Sequence, residues 1–133
     1  MRLPPLLMRS DALVLVVDDD RLPRSMARDA LEAQGYAVTE AADGAEAVVR
    51  FGEDRPDLVM LDVEMPGQDG ISVCRELRER YPNDLVPIFI VTGTEDQTGI
   101  ERAYEAGASD FTSKPVNWAW TTRAGPSPWA RPT

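Results

Sequence analysis

Short apolar runs alternate with amphipathic stretches from residue 11 to about residue 114. Leu13-Val14-Leu15-Val16-Val17, Leu58-Val59-Met60-Leu61 and Ile88-Phe89-Ile90-Val91 are apolar throughout rather than at every second position. That is the pattern of strands covered on both faces. Tyr36 to Glu40 reads as a short second strand, Val86 to Val91 as the fourth, and Ser109 to Ser113 as a weak fifth. Arg21 to Gln34 places Leu22, Met26, Ala30 and Leu31 at helical spacing, with Gly35 as a stop. A second helix opens at Asp43-Gly44, with Asp43 as its N-cap and Ala47, Val48 and Phe51 turned inward. A third opens at Asp69-Gly70, carries Ile71, Val73, Cys74 and Leu77, and breaks at Tyr81-Pro82-Asn83-Asp84. A fourth spans Glu95 to Ala106 before Gly107.

Strands alternating with helices predict an α/β fold with a doubly wound parallel sheet and right-handed crossovers. Ligands of such sheets bind at the carboxyl ends of the strands. That rule brings Asp18, Asp19, Asp62, Thr92 and Lys114 to one rim, so acids, a hydroxyl and an amine face the same space. The set suits a magnesium ion and a phosphoryl group, because a hard divalent ion takes oxygen ligands and an ammonium pairs with phosphoryl oxygens.

At 133 residues the chain suits one domain that buries roughly two-thirds of its unfolded surface. A net charge of −9 argues against direct nucleic-acid binding, which needs a basic footprint. The single Cys74 excludes an intrachain disulfide and fits a reducing compartment. No apolar run approaches the ~20 residues of a membrane span, so the cytoplasm is the expected location and no membrane partner is expected. Residues 1–10 are apolar but interrupted by Pro4-Pro5, and read as a disordered leader before a domain at 11–116. The tail, 117–133, breaks the pattern: it holds all three tryptophans, and Pro126 and Pro128 oppose a regular helix.

Four motifs stand in order at strand ends: Val16-Val17-Asp18-Asp19-Asp20, Leu61-Asp62-Val63-Glu64-Met65-Pro66-Gly67-Gln68-Asp69-Gly70, Val91-Thr92-Gly93, and Ala106-Gly107-Ala108-Ser109-Asp110-Phe111 with Lys114-Pro115. With them the chain, from about Ala12 to Val116, resembles the receiver domain of two-component response regulators. The resemblance implies a flavodoxin-like five-stranded parallel sheet in the order 2-1-3-4-5. It implies Asp62 as phosphoacceptor and Asp18, Asp19, Asp62 and the Glu64 backbone carbonyl as magnesium ligands. Thr92 and Lys114 are then the catalytic hydroxyl and phosphate-binding amine, and Thr92 and Phe111 the switch residues. Its implied partners are a sensor histidine kinase or phosphotransfer protein and a downstream effector or fused output module. Such a chain is a signalling switch rather than an enzyme; it catalyses only its own phosphotransfer and dephosphorylation.

Blander roles compete at each position. Asp62 could be a turn acid, Asp18 to Asp20 a helix cap, Thr92 a cap, Lys114 a solvated charge and Phe111 plain core. A phosphatase of the haloacid-dehalogenase type, with Asp18 as nucleophile, is the enzymatic alternative; it needs a further acidic motif, and no Asp or Glu follows Lys114. A binding-only receiver is the third reading. The tail departs from the family, whose members close with an amphipathic fifth helix. A missing or altered fifth helix predicts exposed apolar surface beside the first and fourth helices, and hence a homodimer or a partly destabilised monomer.

Overall fold

A computed structural model describes residues 12–65, 68–93, 97–114 and 116. In chain order the elements are β1 (Leu13–Val17), α1 (Arg21–Ala33), β2 (Ala37–Ala41), α2 (Gly44–Asp54), β3 (Leu58–Asp62), β4 (Glu64–Met65), β5 (Gln68–Asp69), α3 (Gly70–Arg80), β6 (Ile88–Thr92), α4 (Gln97–Glu105) and β7 (Asp110–Ser113). Five strands form one parallel sheet in the order β2-β1-β3-β6-β7. Counting those five alone, this is the expected order 2-1-3-4-5. The second and fourth strands begin one or two residues later than expected, and the loop after Asp62 holds a two-residue antiparallel ribbon, β4-β5, that no sequence pattern signalled. The expected leader, the altered fifth helix and the three tryptophans lie outside the described residues.

Side chains alternate across a strand, so each buried strand feeds two cores. Leu15, Val17, Val59, Leu61, Ile88 and Ile90 pack against α2, α3 and α4. Val14, Val16, Leu58, Met60, Phe89 and Val91 face the other way, toward Ala27 and Leu31 of α1. The apolar stripe of α1 therefore agrees with the expected one only at its end, where Leu31 is buried and Ala30 partly so. Leu22 and Met26 are 67% and 59% exposed, while Ala27 and Leu31 are buried. One residue turns a helix by about 100°, and α1 is seated on β1 and β2, which rotates Leu22 and Met26 past the covered strands.

Helix starts follow local chemistry. Asp20, Asp43 and Asp69 cap α1, α2 and α3, their carboxylates accepting from Leu22, Glu46 and Ile71 amides. The Glu46 carboxylate also accepts from the Ala42 amide at 2.8 Å, pairing the donor just before the cap. Gly70 is required by close approach: a Cβ there would overlap the Asp62 carbonyl and lie 2.7 Å from the Val63 Cα.

Arg78 of α3 ties the far end of the sheet together. Its guanidinium donates to the carbonyls of Gly107 (3.0 Å) and Val86 (2.7 Å) and to the Ser109 hydroxyl (3.3 Å). That hydroxyl in turn accepts from the Ile88 amide at 3.1 Å. Replacing Arg78 with Met leaves these acceptors unpaired and should cost about 2 kcal/mol. Urea unfolding is expected to show a lower midpoint with an unchanged slope.

Candidate functional site

The site follows from strand parity. Val16 pairs with Met60 and Val17 with Leu61 across adjacent parallel strands. Asp18 lies two residues beyond Val16, and Asp62 two beyond Met60, so both carboxylates leave the same side of the sheet at neighbouring strand ends. Asp19 joins them: one carboxylate oxygen from each of Asp18, Asp19 and Asp62 lies within 4.8 Å of the others. Asp18 and Asp62 are only 8% and 5% exposed.

Asp18 and Asp62 are each held by the chain around them. The Asp20 amide donates to Asp18 Oδ1 at 2.9 Å, and the Glu64 amide to Asp62 Oδ1 at 3.0 Å. Lys114 approaches from β7, its amide donating to the Thr92 carbonyl at 2.8 Å. Its Nζ stands 3.1 Å from Asp62 Oδ1 and 3.4 Å from Glu64 Oε1. Arg24, which sequence reasoning missed, donates from Nη1 to the Asp18 carbonyl at 2.8 Å and from Nε to Glu40 at 2.8 Å. One of three arginines on an amphipathic helix carries no sequence signal of such a role.

The electrostatics are unbalanced toward negative. Two carboxylates within 4.8 Å repel by about 3 kcal/mol at an effective dielectric near 20. Burial, followed by the neighbouring Asp62 charge, pushes Asp18 up to about 6, against the opposing pull of the Asp20 amide and Lys114. Burial alone would lower Lys114, but its bond and attraction to Asp62, aided by Glu64, hold the amine above its ordinary value and keep it cationic. One ammonium does not offset three carboxylates. An all-oxygen donor set of this size and charge fits a hard divalent cation.

Thr92 and Phe111 sit apart from the acids. By parity Thr92 continues the Ile88-Ile90 face, toward α4. With Ile90, Phe111, Ile100 and Ala103 it lines a cavity of about 180 Å³ beneath that helix. Phe111 is half-buried and edge-on to Tyr104, with ring centroids 6.4 Å apart. The acids open instead onto an apolar groove of about 260 Å³ bordered by Met26, Met60, Val91 and Val116. Glu64 adjoins both, lining the α4 cavity while touching Lys114. The structure thus brings Asp18, Asp19, Asp62, Glu64 and Lys114 together and sets Thr92 and Phe111 on the opposite face.

Residues 14–120 match the family described as the response regulator receiver domain. The transcriptional regulatory protein CseB of Streptomyces coelicolor is 40% identical over 106 residues, 80% of this chain and 44% of CseB. The chain thus spans under half the length of that relative. Among solved structures, chemotaxis protein CheY4 of Vibrio cholerae superposes with a TM-score of 0.77 at 31% identity, covering 81% of this chain and 90% of CheY4. A Burkholderia pseudomallei response regulator protein, solved with a phosphorylated aspartic acid, a calcium ion and citrate, gives 0.74 at 27% identity, covering 81% of this chain and 62% of that one.

Two outcomes follow for cation binding. A carboxylate takes a divalent cation only when ionised, so any cation affinity of this cluster should fall as pH drops through about 6, the value of Asp18, measured by calorimetry between pH 5 and 8. The sign for the free fold is opposite: a carboxyl raised by folding stabilises it at low pH, and that contribution is lost as pH rises through about 6. Arg24→Ala removes the guanidinium that fixes the Asp18 carbonyl and should weaken the same binding several-fold at pH 7.5 while the fold persists by circular dichroism.

Proposed function

The chain belongs to the response regulator receiver family, and from that premise we propose that Asp62 is its phosphoacceptor, loaded by a sensor histidine kinase or phosphotransfer protein. The observation that carries this reading is the convergence of Asp18, Asp19 and Asp62, with the Lys114 ammonium 3.1 Å from Asp62. An oxygen of the Asp62 carboxylate attacks phosphorus; the phosphorus–nitrogen bond to the donor histidine breaks, and an acyl phosphate remains on Asp62. The imidazole leaves with the bonding pair and takes up a proton. Lys114 pairs with the phosphoryl charge that arrives. Asp18, Asp19, Asp62 and the Glu64 carbonyl would hold magnesium, which when bound offsets negative charge between carboxylate and phosphoryl oxygens.

The switch uses the second cavity. A phosphoryl group on Asp62 attracts the Thr92 hydroxyl across the end of β6, and Phe111 fills the space released beneath α4. Moving such an equilibrium from 1:99 to 99:1 takes about 5.5 kcal/mol of differential stabilisation. The surface carrying α4 and β7 then changes, and an effector or a fused output module reads it. Among the described residues no helix is long and apolar enough to cross a membrane; the cytoplasm is the proposed setting.

The phosphatase alternative is not favoured. Besides the family match, Asp20, the second acid of its Asp-x-Asp motif, is occupied as the cap of α1.

Incubation with magnesium and acetyl phosphate should add one phosphoryl mass to the intact chain. Asp62→Asn should abolish the gain, and omitting magnesium should suppress it. Label found on Asp18 instead would support the phosphatase.

A further inference from the structure

Glu64 holds a position that its neighbours would otherwise offer to a ligand. Its Oε1 lies 3.4 Å from Lys114 Nζ, and its Oε2 accepts from the Gly93 amide at 3.3 Å. The carboxylate lies flat over Gly93: a Cβ there would be 3.0 and 3.1 Å from its two oxygens. An ammonium and a backbone N–H therefore converge on one anionic group beside Asp62, whose Oδ1 shares the same ammonium at 3.1 Å. This is the donor arrangement that a phosphoryl group bound to Asp62 would meet, and a side chain of the protein already fills it.

We propose that the Glu64 carboxylate is a built-in competitor: it takes the anion position between Lys114 and Gly93, and must swing out before a phosphoryl group can settle on Asp62. The inference rests on the phosphoacceptor reading of Asp62 and adds a specificity-determining residue to it. The two bonds are long and the side chain is 45% exposed, so the position is held loosely and an anion can displace it. Displacement leaves the Glu64 backbone in place, because its amide is bound to Asp62 Oδ1. Closure thus affects anions, not the fixed arrangement of the acids. It also adds a fourth negative charge to the approach, which disfavours small anionic donors diffusing in alone. A kinase, which presents its phosphohistidine on a docked surface, can displace the side chain through its own contacts.

The test compares the full chain with Glu64→Ala and Glu64→Gln in magnesium, with Asp62→Asn as control. Both neutral variants should bind beryllofluoride, a noncovalent phosphoryl stand-in, about fivefold more tightly, the worth of one partly exposed ion pair. They should also take phosphoryl from acetyl phosphate faster by a similar factor. Before any ligand is added, the Gly93 amide proton should shift upfield in Glu64→Ala, because its acceptor is gone. Equal or weaker binding by both variants, with the unaltered chain still labelled at Asp62, overturns the competitor and leaves the phosphoacceptor reading standing. Labelling of the variants but not of the unaltered chain supports the competitor in its strongest form. Label on none of the chains overturns both.

Discussion

The mutual repulsion of Asp18 and Asp62 is the constraint around which the rest of the molecule is arranged. Parallel pairing of β1 with β3 puts the two carboxylates side by side, and burial withholds the water that would screen them. Left alone, Asp18 would turn away or keep its proton; burial first, and then the Asp62 charge, raise its value. The fold prevents the first outcome. Amides of Asp20 and Glu64 hold one oxygen of each acid, Arg24 holds the Asp18 carbonyl, and Lys114 stands against Asp62. These groups hold the geometry but do not neutralise the charge. The remaining imbalance is what a hard divalent cation can use.

The helices serve that arrangement from a distance. Gly70 lets α3 begin directly against the Asp62 carbonyl, so the end of β3 cannot drift without moving a helix. Arg102 of α4 meets Asp69, the cap of α3, at 3.1 Å, joining the helix over the second cavity to the loop beside Asp62. Lys114 is anchored through its amide to the Thr92 carbonyl, so the stem of its side chain starts from the end of the Thr92 strand. A change in charge at Asp62 therefore has short routes to α4 and β7, in keeping with a family of signalling switches.

Two cavities on opposite faces of one sheet give the site its asymmetry. The acids look into the apolar groove beside α1, while Thr92 and Phe111 look under α4. Glu64, with backbone on one side and carboxylate over Gly93, spans the divide. Control by such a bridge differs from control by the acids themselves: it governs access without altering the cluster.

Element types were legible in the sequence, because near-continuous apolar runs, caps at Asp20, Asp43 and Asp69, and stops at Gly35 and Gly107 are local signals; the strand order came only with the resemblance to receiver domains. The gathering of Asp18 and Asp62 at one rim was legible too, since both end apolar strands of a parallel sheet; the register that sets them on one side came from the pairing of β1 with β3. The stripe of α1 was legible only at Leu31: helical spacing alone admits more than one face, and only packing on β1 and β2 chose Ala27 over Leu22 and Met26. The β4-β5 ribbon, Arg24 on the Asp18 carbonyl, and Glu64 over Gly93 and against Lys114 were not legible. Those last two contacts join residues 29 and 50 positions apart. The sequence by itself determined which segments are strands and helices and which acids stand at strand ends, because those depend on near neighbours. The tertiary structure decided which flexible side chains meet across the rim, because a long glutamate or arginine has many rotamers and only its surroundings select one.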